Sequence, residues 1–453
     1  MVELGFVRGQ PPYPFGASFL AKKGNCMSGL GTVNSLPVKG ECGAAARGLA
    51  PRLRFLEFRD AADWKTEMLG TQGAFLSPLT GKTAKDFDTG GAAFIPYMNV
   101  FSNVFTNTSD LRSVSVESYE SQNSVAKGDV FFTVSSETPE EAGMSSVLLS
   151  EIENCYLNSF CALFRFDDGK LPNPVFLGYL LRSALVRAHL SRGAQGATRY
   201  NISKIIFQSL PLHLPSGSEQ QKIADCLGSL DDLIAAQDRK LEALRQYKQG
   251  LMQQLFPRPG ETVPRMRFPG FARDSGWDYV TVADLVDTVI PPKKLPSSTY
   301  RPDGRFPIID QSQSYICGWT NDDEAIITRP LPVIVFGDHT CVLKFVDQPF
   351  AQGADGIKIV IANRCVSTPY LYHWLSHRPL ATKQYKRHFS TLKSEIVYFP
   401  ESKSGEQQKI VDCLSSLDDL IAAQNRKLDA LRQLKQGLLQ QLFPNTSKET
   451  CHD

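Results

Sequence analysis

The sequence predicts an α+β protein in which two globular segments alternate with two long helices. The first observation is an internal repeat, because residues 219–257 return at 406–444 with only six of the 39 positions changed. The second is a weaker repeat ahead of each helix, PRLRFLEFRDAADW at 51–64 and PRMRFPGFARDSGW at 264–277. The third is the composition, with 42% hydrophobic and 21% charged residues among 453, which suits two or three ordinary domains. Since each half carries the same unit, we expect pseudo-two-fold geometry.

These repeats divide the chain into consecutive segments. Residues 1–50 are rich in Gly and Ala and lack periodicity, so we expect a disordered extension or a misassigned start, with Met27 as the alternative start. The remaining segments are a globular domain, a helix with its linker, a second globular domain, a second helix and a tail, at 51–218, 219–263, 264–405, 406–444 and 445–453. The two globular segments differ in length and sequence, which indicates that they recognise different things.

Both repeated segments place apolar residues at alternating spacings of three and four, the 3.5-residue period of a coiled-coil seam. The predicted seam residues are Leu227, Leu230, Ile234, Leu241 and Leu244 in the first helix, and Leu414, Leu417, Ile421, Leu428 and Leu431 in the second. A whole globular segment lies between the helices, which favours an antiparallel intramolecular coiled coil. Dimerisation of two chains through the helices is the alternative.

Polar and flanking residues complete this interpretation of the helices. The polar seam residues are expected to fix the register, and they are Gln237, Lys248, Gln424 and Lys435. Cys226, Leu233 and Tyr247 widen the apolar stripe on one flank. We therefore expect each helix to contact its neighbouring globular segment as well.

Both globular segments show mixed patterning. In the first, strands are predicted at AAFIPYMNVF, GDVFFTVS and NSFCALFRF, and a helix at VFLGYLLRSALVRAHL. In the second, strands are predicted at FPIIDQS, LPVIVFGD and GIKIVIA, and a helix at PYLYHWLSHR. Each segment ends in a short apolar run that leads to proline, IIFQSLPLHLP or EIVYFP. This mixture predicts α+β domains.

Two basic clusters without any acidic residue precede the long helices. They comprise Arg182, Arg187, Arg192, Arg199 and Lys204 in the first segment, and Arg378, Lys383, Lys386, Arg387 and Lys393 in the second. Because the formal net charge is only +2, such local clusters must carry any case for nucleic acid. A solvated helix face explains one cluster equally well. Two clusters at corresponding places favour phosphate-binding faces for DNA.

Base reading needs polar side chains on loops near these clusters. The candidates are Lys82, Tyr97, Asn99, Ser136, Thr138, Tyr200 and Asn201 in the first segment, and Gln311, Gln313, His339, Lys344 and Gln352 in the second. Each of them, taken singly, also fits an ordinary loop residue.

The motifs of catalysis and metal binding are not found. TGKT at 80–83 resembles the end of a phosphate-binding loop, but Leu76 stands where that pattern requires glycine. FGDHT at 336–340 pairs Asp338 with His339 and lacks a third partner at a recognisable spacing. The ten cysteines form no CxxC pair, which favours reduced thiols in the cytoplasm over a zinc site or disulfides. The sequence therefore argues against a self-contained enzyme.

The order of variable segment, long helix, second variable segment and near-copy of the helix resembles the specificity subunit of type I restriction–modification systems. The resemblance covers residues 51–444 and includes both EQQKI openings. It extends to TPEEAG, YLNSFC and ATRYNISK in the first segment and to IVFGDHT, QGADGIK and YKRHFS in the second. It implies two target-recognition domains, each reading half of a split sequence in double-stranded DNA, with the helices as a ruler.

The resemblance also implies the partners of the chain. It implies a complex with two methyltransferase subunits, which modify adenine with S-adenosylmethionine, and with restriction subunits, which use ATP and Mg²⁺. On this interpretation the chain is non-catalytic and binds no cofactor or metal itself. A coiled-coil scaffold that joins proteins without binding DNA is the alternative function.

Overall fold

The computed structural model describes residues 51–271, 276–354, 356–363, 365–380 and 387–444. The predicted extension and the predicted tail lie outside these described residues. The chain divides into two compact units, one containing residues 51–235 and 429–444 and the other residues 236–428. Each unit holds one globular segment and part of both long helices. The predicted domain boundaries, which gave each helix a segment of its own, stay a prediction.

The elements of the first globular segment and the first long helix are β1 (Lys65–Met68), β2 (Gly73–Leu76), β3 (Phe87–Ile95), α1 (Tyr97–Ser102), β4 (Arg112–Val114), β5 (Val130–Thr133), β6 (Ser135–Ser136), β7 (Ser145–Val147), β8 (Cys155–Leu157), β9 (Cys161–Phe166), α2 (Pro174–Leu181), α3 (Ala184–Gly193), β10 (Tyr200–Asn201), α4 (Lys204–Gln208), β11 (Pro211–Leu214) and α5 (Gly217–Leu255). The four-stranded sheet has the order β2-β9-β5-β7, and a three-stranded sheet has the order β4-β3-β8. β1 pairs with β11, and β6 pairs with β10. The β3–β8 pair is parallel, whereas the other pairs are antiparallel.

The elements of the second globular segment and the second long helix are β12 (Asp278–Thr281), α6 (Val282–Leu285), β13 (Val286–Val289), β14 (Phe306–Ile309), β15 (Gly318–Thr320), β16 (Ile326–Ile327), β17 (Val333–Gly337), β18 (Leu343–Val346), β19 (Phe350–Gln352), β20 (Ile357–Ala362), α7 (Thr368–His377), α8 (Phe389–Ser394), β21 (Ile396–Phe399) and α9 (Glu406–Leu442). Two four-stranded sheets have the orders β13-β20-β17-β18 and β15-β14-β19-β16, and β12 pairs with β21. The α+β class predicted for both segments is confirmed.

Two predicted elements of the first segment differ from the structure. The run AAFIPYMNVF was predicted as one strand, but β3 ends at Ile95 and α1 begins at Tyr97. Pro96 separates them, since proline has no N–H for a sheet and suits the start of a helix. The single helix predicted at 175–190 is two helices, which are interrupted at Arg182 and Ser183.

The long helices α5 and α9 run antiparallel to each other. In the first unit, Leu227 near the start of α5 shares a buried cluster with Leu438 and Leu442 near the end of α9. In the second unit the order is reversed, because Leu255 at the end of α5 packs with Leu414 near the start of α9. The antiparallel intramolecular pairing is therefore confirmed. Each fully buried leucine contributes roughly 1.5–3 kcal/mol of transfer free energy, which neither helix obtains alone.

Polar contacts in the seam link residues of one helix to residues of the other. The Gln237 side-chain amide donates to the Gln424 carbonyl oxygen, and these two residues occupy the same position in the repeat. Lys435 pairs with Asp231 at 2.5 Å in the first unit. The equivalent pair in the second unit joins Lys248 and Asp418, also at 2.5 Å. Such polar contacts are satisfied at only one alignment, which suits them to fix the register, and that role stays a prediction.

The apolar stripe of α5 is narrower than predicted. Cys226 is buried, but Leu233 is 42% exposed and Tyr247 is 56% exposed. Their equivalents on α9, Leu420 and Leu434, are also exposed. Leu233 and Tyr247 do not belong to the buried clusters that join the helices to the globular segments, so the contact predicted at these two positions is not seen among the described residues. The predicted contact of α5 with its own segment is present through Cys226, which shares a cluster with Phe176 and Leu180.

The repeated EQQ motif attaches the start of each long helix to its globular segment. In the first unit Glu219 accepts two hydrogen bonds from Arg54, and Gln220 accepts from the Asn173 backbone N–H. In the second unit, Glu406 accepts from Arg267 in the same way. Both glutamates are 1% exposed, and a buried charge of this kind is tolerated only with such a partner. The two EQQ motifs are identical because each makes the same kind of contact with its own globular segment.

Candidate nucleic-acid interface

A cleft of about 200 Å³ lies in the first unit where α1, β6 and β10 meet. It is lined by Tyr97, Met98, Phe101, Ser135, Ser136, Glu137, Glu141 and Arg199. The Tyr97 hydroxyl donates to the Ser135 carbonyl at 2.7 Å, and its ring stacks on Phe101 with 5.9 Å between centroids. Burial raises the pKa of Tyr97, so the phenol stays neutral. Of the predicted base-reading residues, Tyr97 and Ser136 meet here.

Arg199 is held at this cleft by a tight hairpin of residues 195–201. Gln195 and Asn201 exchange both backbone hydrogen bonds, at 2.9 and 2.8 Å. Gly196 has φ +150°, and a Cβ there would lie 1.9 Å from the Arg199 carbonyl oxygen. Glycine is therefore required for the chain to close this turn. Tyr200 and Asn201 form β10 on the far side of the turn, where Tyr200 pairs with Ser136.

Three residues of the first basic cluster present their charge to solvent. Arg192, Arg199 and Lys204 are exposed. Arg192 donates to the Ala188 carbonyl of its own helix, and the Lys204 ammonium lies 5.8 Å from the Phe75 ring centroid. The Arg199 guanidinium has no hydrogen bond or ion pair with any residue that the structure describes. The charges of these three side chains therefore face solvent.

Arg182 belongs to the interior and not to this surface. Its Nε donates to the Ser145 carbonyl at 2.8 Å, and its Nη2 donates to three carbonyls between residues 100 and 103 at 2.9–3.0 Å. Burial, and then the nearby charge of Arg187, lowers the pKa of Arg182 to about 10. The guanidinium is engaged where α2 ends. This geometry speaks against the phosphate contact predicted for Arg182.

Arg187, like Arg182, donates to backbone carbonyls inside the unit. Its Nη1 donates to the Gly143 carbonyl at 2.7 Å, and its Nη2 donates to the carbonyls of Glu140 and Ala142. Burial lowers the pKa of Arg187. The side chain holds residues 140–143 against α3, so the phosphate contact predicted for Arg187 does not fit the structure.

Two base-reading candidates of the first unit are also engaged internally. Asn99 is fully buried, and its amide donates to the carbonyls of Asn107 and Asp110, both at 2.8 Å. Lys82 pairs with Glu120 at 2.5 Å with only 7% of its side chain exposed. That ion pair is the main cause lowering the pKa of Glu120 to about 2. Neither side chain reaches a base without breaking these contacts, whereas Thr138 is exposed beside the cleft.

In the second unit, burial removes two more candidates. Lys344 is 4% exposed and donates to the carbonyls of Asp310 and Ser314, at 2.8 and 2.6 Å. Burial lowers its pKa. Gln352 lies within β19 and is 3% exposed. Both residues stabilise the sheet and its loops, so the base contacts predicted for them do not fit the structure.

The remaining candidates of the second unit lie at one edge of its sheets. Gln311 and Gln313 follow β14, and His339 follows β17. The Gln311 amide lies so close to Gly356 that a Cβ there would be 2.5 Å from it. Gln313 is exposed, whereas Gln311 and His339 are half-buried. Asp338, next to His339, accepts from the backbone N–H groups of His388 and Phe389, where α8 begins, and so satisfies donors that the first turn of a helix leaves unpaired.

The second basic cluster is only partly described. Lys383 and Lys386 lie outside the described residues. Arg378 donates to the Pro257 carbonyl at 2.6 Å and stacks 4.8 Å from the Trp374 ring, so its geometry speaks against the predicted phosphate contact. Arg387 and Lys393 are exposed, and Lys393 lies over the Phe389 ring.

Sequence reasoning missed Glu137 and Glu141, which line the cleft beside Arg199. Both are exposed, and Glu141 accepts a 3.3 Å hydrogen bond from the Ser136 hydroxyl. They lie outside the basic clusters that were predicted from the absence of acidic residues. No local sequence signal marks them, because the pairing of β6 with β10 that brings them to Arg199 joins residues far apart in the chain.

Neither a metal-binding cluster nor a membrane-spanning helix is found within the residues that the structure describes. There, no group of three His, Cys, Asp or Glu side chains is arranged to hold a metal ion. Within the same ranges, none of the helices combines the length and hydropathy that a membrane span requires.

A family model described as the type I restriction modification DNA specificity domain matches the chain twice, over residues 82–246 and 274–433. The putative type I restriction enzyme MjaX specificity subunit of Methanocaldococcus jannaschii is 23% identical over 340 residues, which cover 70% of this chain and 77% of that protein. The MjaVIII specificity subunit of the same organism is 26% identical over 124 residues, covering 27% of this chain. That second match spans only 28% of the relative's own length.

The S subunit of a type I restriction-modification system from M. genitalium has a similar solved structure. The TM-score is 0.57 at 15% identity, over 88% of this chain and all of that chain. At this identity the likeness concerns the fold, and it agrees with the two globular segments and two long helices described above. Since the family model covers well over half of the chain, in two copies, the protein belongs to the DNA specificity subunits of type I restriction–modification systems, which are non-catalytic.

Proposed function

We propose that this chain reads a split target in double-stranded DNA, one half through each globular segment. The observation that carries this proposal is the repeated attachment of two unlike segments to one antiparallel helix pair. Arg54–Glu219 in the first unit and Arg267–Glu406 in the second are equivalent ion pairs, at 2.7 and 2.6 Å. The two globular segments differ in sequence, so we expect the two halves of the DNA target to differ in sequence as well.

Phosphate contacts supply affinity and orientation in this proposal. The residues whose exposure supports this role are Arg192, Lys204, Arg387 and Lys393. Each exposed cation that neutralises a phosphate releases counterions, so binding weakens steeply as salt rises. Base choice is assigned to the loops at the cleft of the first unit, with Tyr97, Ser136, Thr138, Tyr200 and Asn201. In the second unit it is assigned to Gln311, Gln313 and His339.

Members of this family work in an assembly with other subunits of the restriction–modification system and generally bind no cofactor themselves. In finer detail, we propose a complex with two methyltransferase subunits that modify adenine with S-adenosylmethionine. Restriction subunits that use ATP and Mg²⁺ join this complex and translocate or cut DNA. The chain positions these enzymes on DNA in the cytoplasm.

A salt series tests DNA binding directly. The chain is assembled with its methyltransferase subunits, and affinity for a target duplex is measured from low to physiological salt. The logarithm of the binding constant should fall linearly with the logarithm of the salt concentration. Replacing one phosphate-binding residue, for example Lys393→Ala, should reduce that slope by about one.

The matched control is Lys344→Met, because Lys344 is buried and donates to backbone carbonyls. This variant should keep the wild-type salt slope at temperatures where it remains folded. Binding that does not change with salt, or no shift of DNA by the assembled complex, would contradict the proposal. That result would favour a scaffold that joins proteins without DNA.

A further inference from the structure

The cleft beside Arg199 combines one free cation with two carboxylates. Arg199 is exposed and lines the cleft, and its guanidinium has no hydrogen bond or ion pair with any described residue. Glu137 is also exposed and has no hydrogen bond or ion pair in the described part of the chain. Glu141 differs, because it accepts a hydrogen bond from Ser136. The cleft thus offers the N–H donors of the Arg199 guanidinium and the two acceptor oxygens of the Glu137 carboxylate.

This mixture of charges is unsuited to a phosphate group. A phosphate drawn to Arg199 would also meet the negative charges of Glu137 and Glu141 at the same cleft. A neutral base pair presents donors and acceptors side by side and suffers no such repulsion. The chemistry of the cleft therefore favours the edge of a base pair over the DNA backbone.

A guanidinium donor beside a carboxylate acceptor matches one kind of base pair better than the others. In the major groove, guanine shows two acceptors, O6 and N7, and its partner cytosine shows the N4 amino donor. An adenine–thymine pair shows a single acceptor and a donor on the purine, which suits an amide better than a guanidinium. Resting on the function proposed above, we propose that this cleft reads a G·C base pair in one half of the target. Arg199 donates to guanine O6 and N7, and Glu137 accepts from cytosine N4.

The fold fixes the backbone positions from which these two side chains extend. The hairpin that carries Arg199 closes through Gly196, and β10 pairs with β6 next to Glu137. The stacked rings of Tyr97 and Phe101 form an apolar wall whose hydroxyl is already bonded to Ser135. A rigid frame limits the entropy that must be lost when the guanidinium meets a base.

Sequencing of modified DNA tests this assignment. The chain is assembled with its methyltransferase subunits and given a DNA library in which every short sequence occurs. In wild type, one half of the modified target should contain an invariant G·C pair. In Arg199→Ala, the preference for G·C at that position should fall roughly tenfold to a hundredfold, because a good bidentate contact gives discrimination of that size. All other positions of both halves should stay as they are.

Two further variants separate base reading from general effects. Glu137→Gln should relax the same position by less than the arginine variant does, since the amide keeps an acceptor oxygen. Arg192→Ala, an exposed arginine of the same cluster, should lower modification at all sequences and leave the preference unchanged. Thermal unfolding of each variant should match wild type, since none of these side chains is buried.

The possible failures are distinguishable. If the wild-type complex modifies no defined sequence, the proposed function itself fails. If wild type modifies a defined target but Arg199→Ala relaxes no position, or relaxes one that holds A·T, the G·C assignment is overturned. Uniform loss of modification by folded Arg199→Ala also overturns it, because Arg199 would then act through affinity alone.

Discussion

Arginine residues of one sequence cluster serve different purposes according to their burial. Arg182 donates to the Ser145 carbonyl, and Arg187 donates to the Gly143 carbonyl, so both guanidinium groups are engaged inside the unit. Arg192 and Arg199, by contrast, are exposed to solvent. The sequence shows only that five basic residues occur without an acidic one. Whether a guanidinium meets carbonyls or solvent depends on residues 40 to 80 positions away, which is why the cluster was predicted and its division was not.

Arg182→Ala should lower the stability of the fold and leave sequence choice intact. Four hydrogen bonds to carbonyl oxygens are lost, and half-buried acceptors remain without donors. We expect the free energy of unfolding to fall by about 2–4 kcal/mol, measured with urea. Arg192→Ala, which loses one exposed bond, should stay within about 0.5 kcal/mol of wild type. Equal stability of the two variants would show that Arg182 is not a structural residue.

His373 offers a test of pH dependence at a position where the two copies differ. It is 2% exposed, and burial, with a smaller effect of Lys248, lowers its pKa to about 3 from 6.5. Between these values the unfolded chain binds a proton that the folded chain does not, so stability is present above pH 6.5 and is lost as pH falls. His373 lies 3.9 Å from Asp418, and Asp231 is the residue that matches Asp418 in the repeat. In the first unit the corresponding contact is made by Tyr179, whose hydroxyl donates to Asp231 at 2.6 Å.

We therefore expect His373→Tyr to reduce the acid sensitivity of the second unit. Its hydroxyl should donate to Asp418, and the stability gained over wild type should grow as pH falls from 6.5 to 4. The measurement is the free energy of unfolding at each pH. The reciprocal variant, Tyr179→His, should add acid sensitivity. Parallel pH curves for wild type and His373→Tyr would contradict this account.

At the scale of elements, the long helices were the most predictable part of the chain. Their heptad pattern is local, and the copy at 406–444 confirms it independently. Short elements were less predictable, because α1 depends on Pro96 and β6 exists only through its pairing with β10. The exposure of Leu233 and Tyr247 was not predictable for a similar reason. The heptad pattern shows which face of α5 is apolar, but not which residues of that face the neighbouring segment covers.

The Lys435–Asp231 pair should contribute to the alignment of the two helices. Exchanging its charges one at a time, with Asp231→Lys or Lys435→Asp, places like charges together at a partly buried contact. The double exchange should recover stability, with a coupling free energy of about 1 kcal/mol in urea unfolding. The exposed pair Lys170–Asp167, treated in the same way, should show a coupling of only about 0.3 kcal/mol. No recovery in the Asp231–Lys435 double variant would argue against a role in register.

At the scale of the whole molecule, the helices are expected to set the gap between the two halves of the target. Inserting seven residues in α5 and seven at the matching position of α9 keeps the seam in phase. It lengthens each helix by about 10 Å, which corresponds to roughly three base pairs of DNA. The gap in the modified target should grow by about that amount, with both half-sites unchanged. A lengthened pair that keeps the original gap would show that the helices do not set it.

Two unlike domains on one helix pair are proposed to read two halves of one DNA target. The most direct measurement is the map of methylated adenines across the genome of a host that carries this chain and its methyltransferase. We predict a single motif of two different half-sites separated by a gap of constant length and unspecified sequence. Methylation at one continuous motif, or two half-sites at variable distance, would contradict the claim.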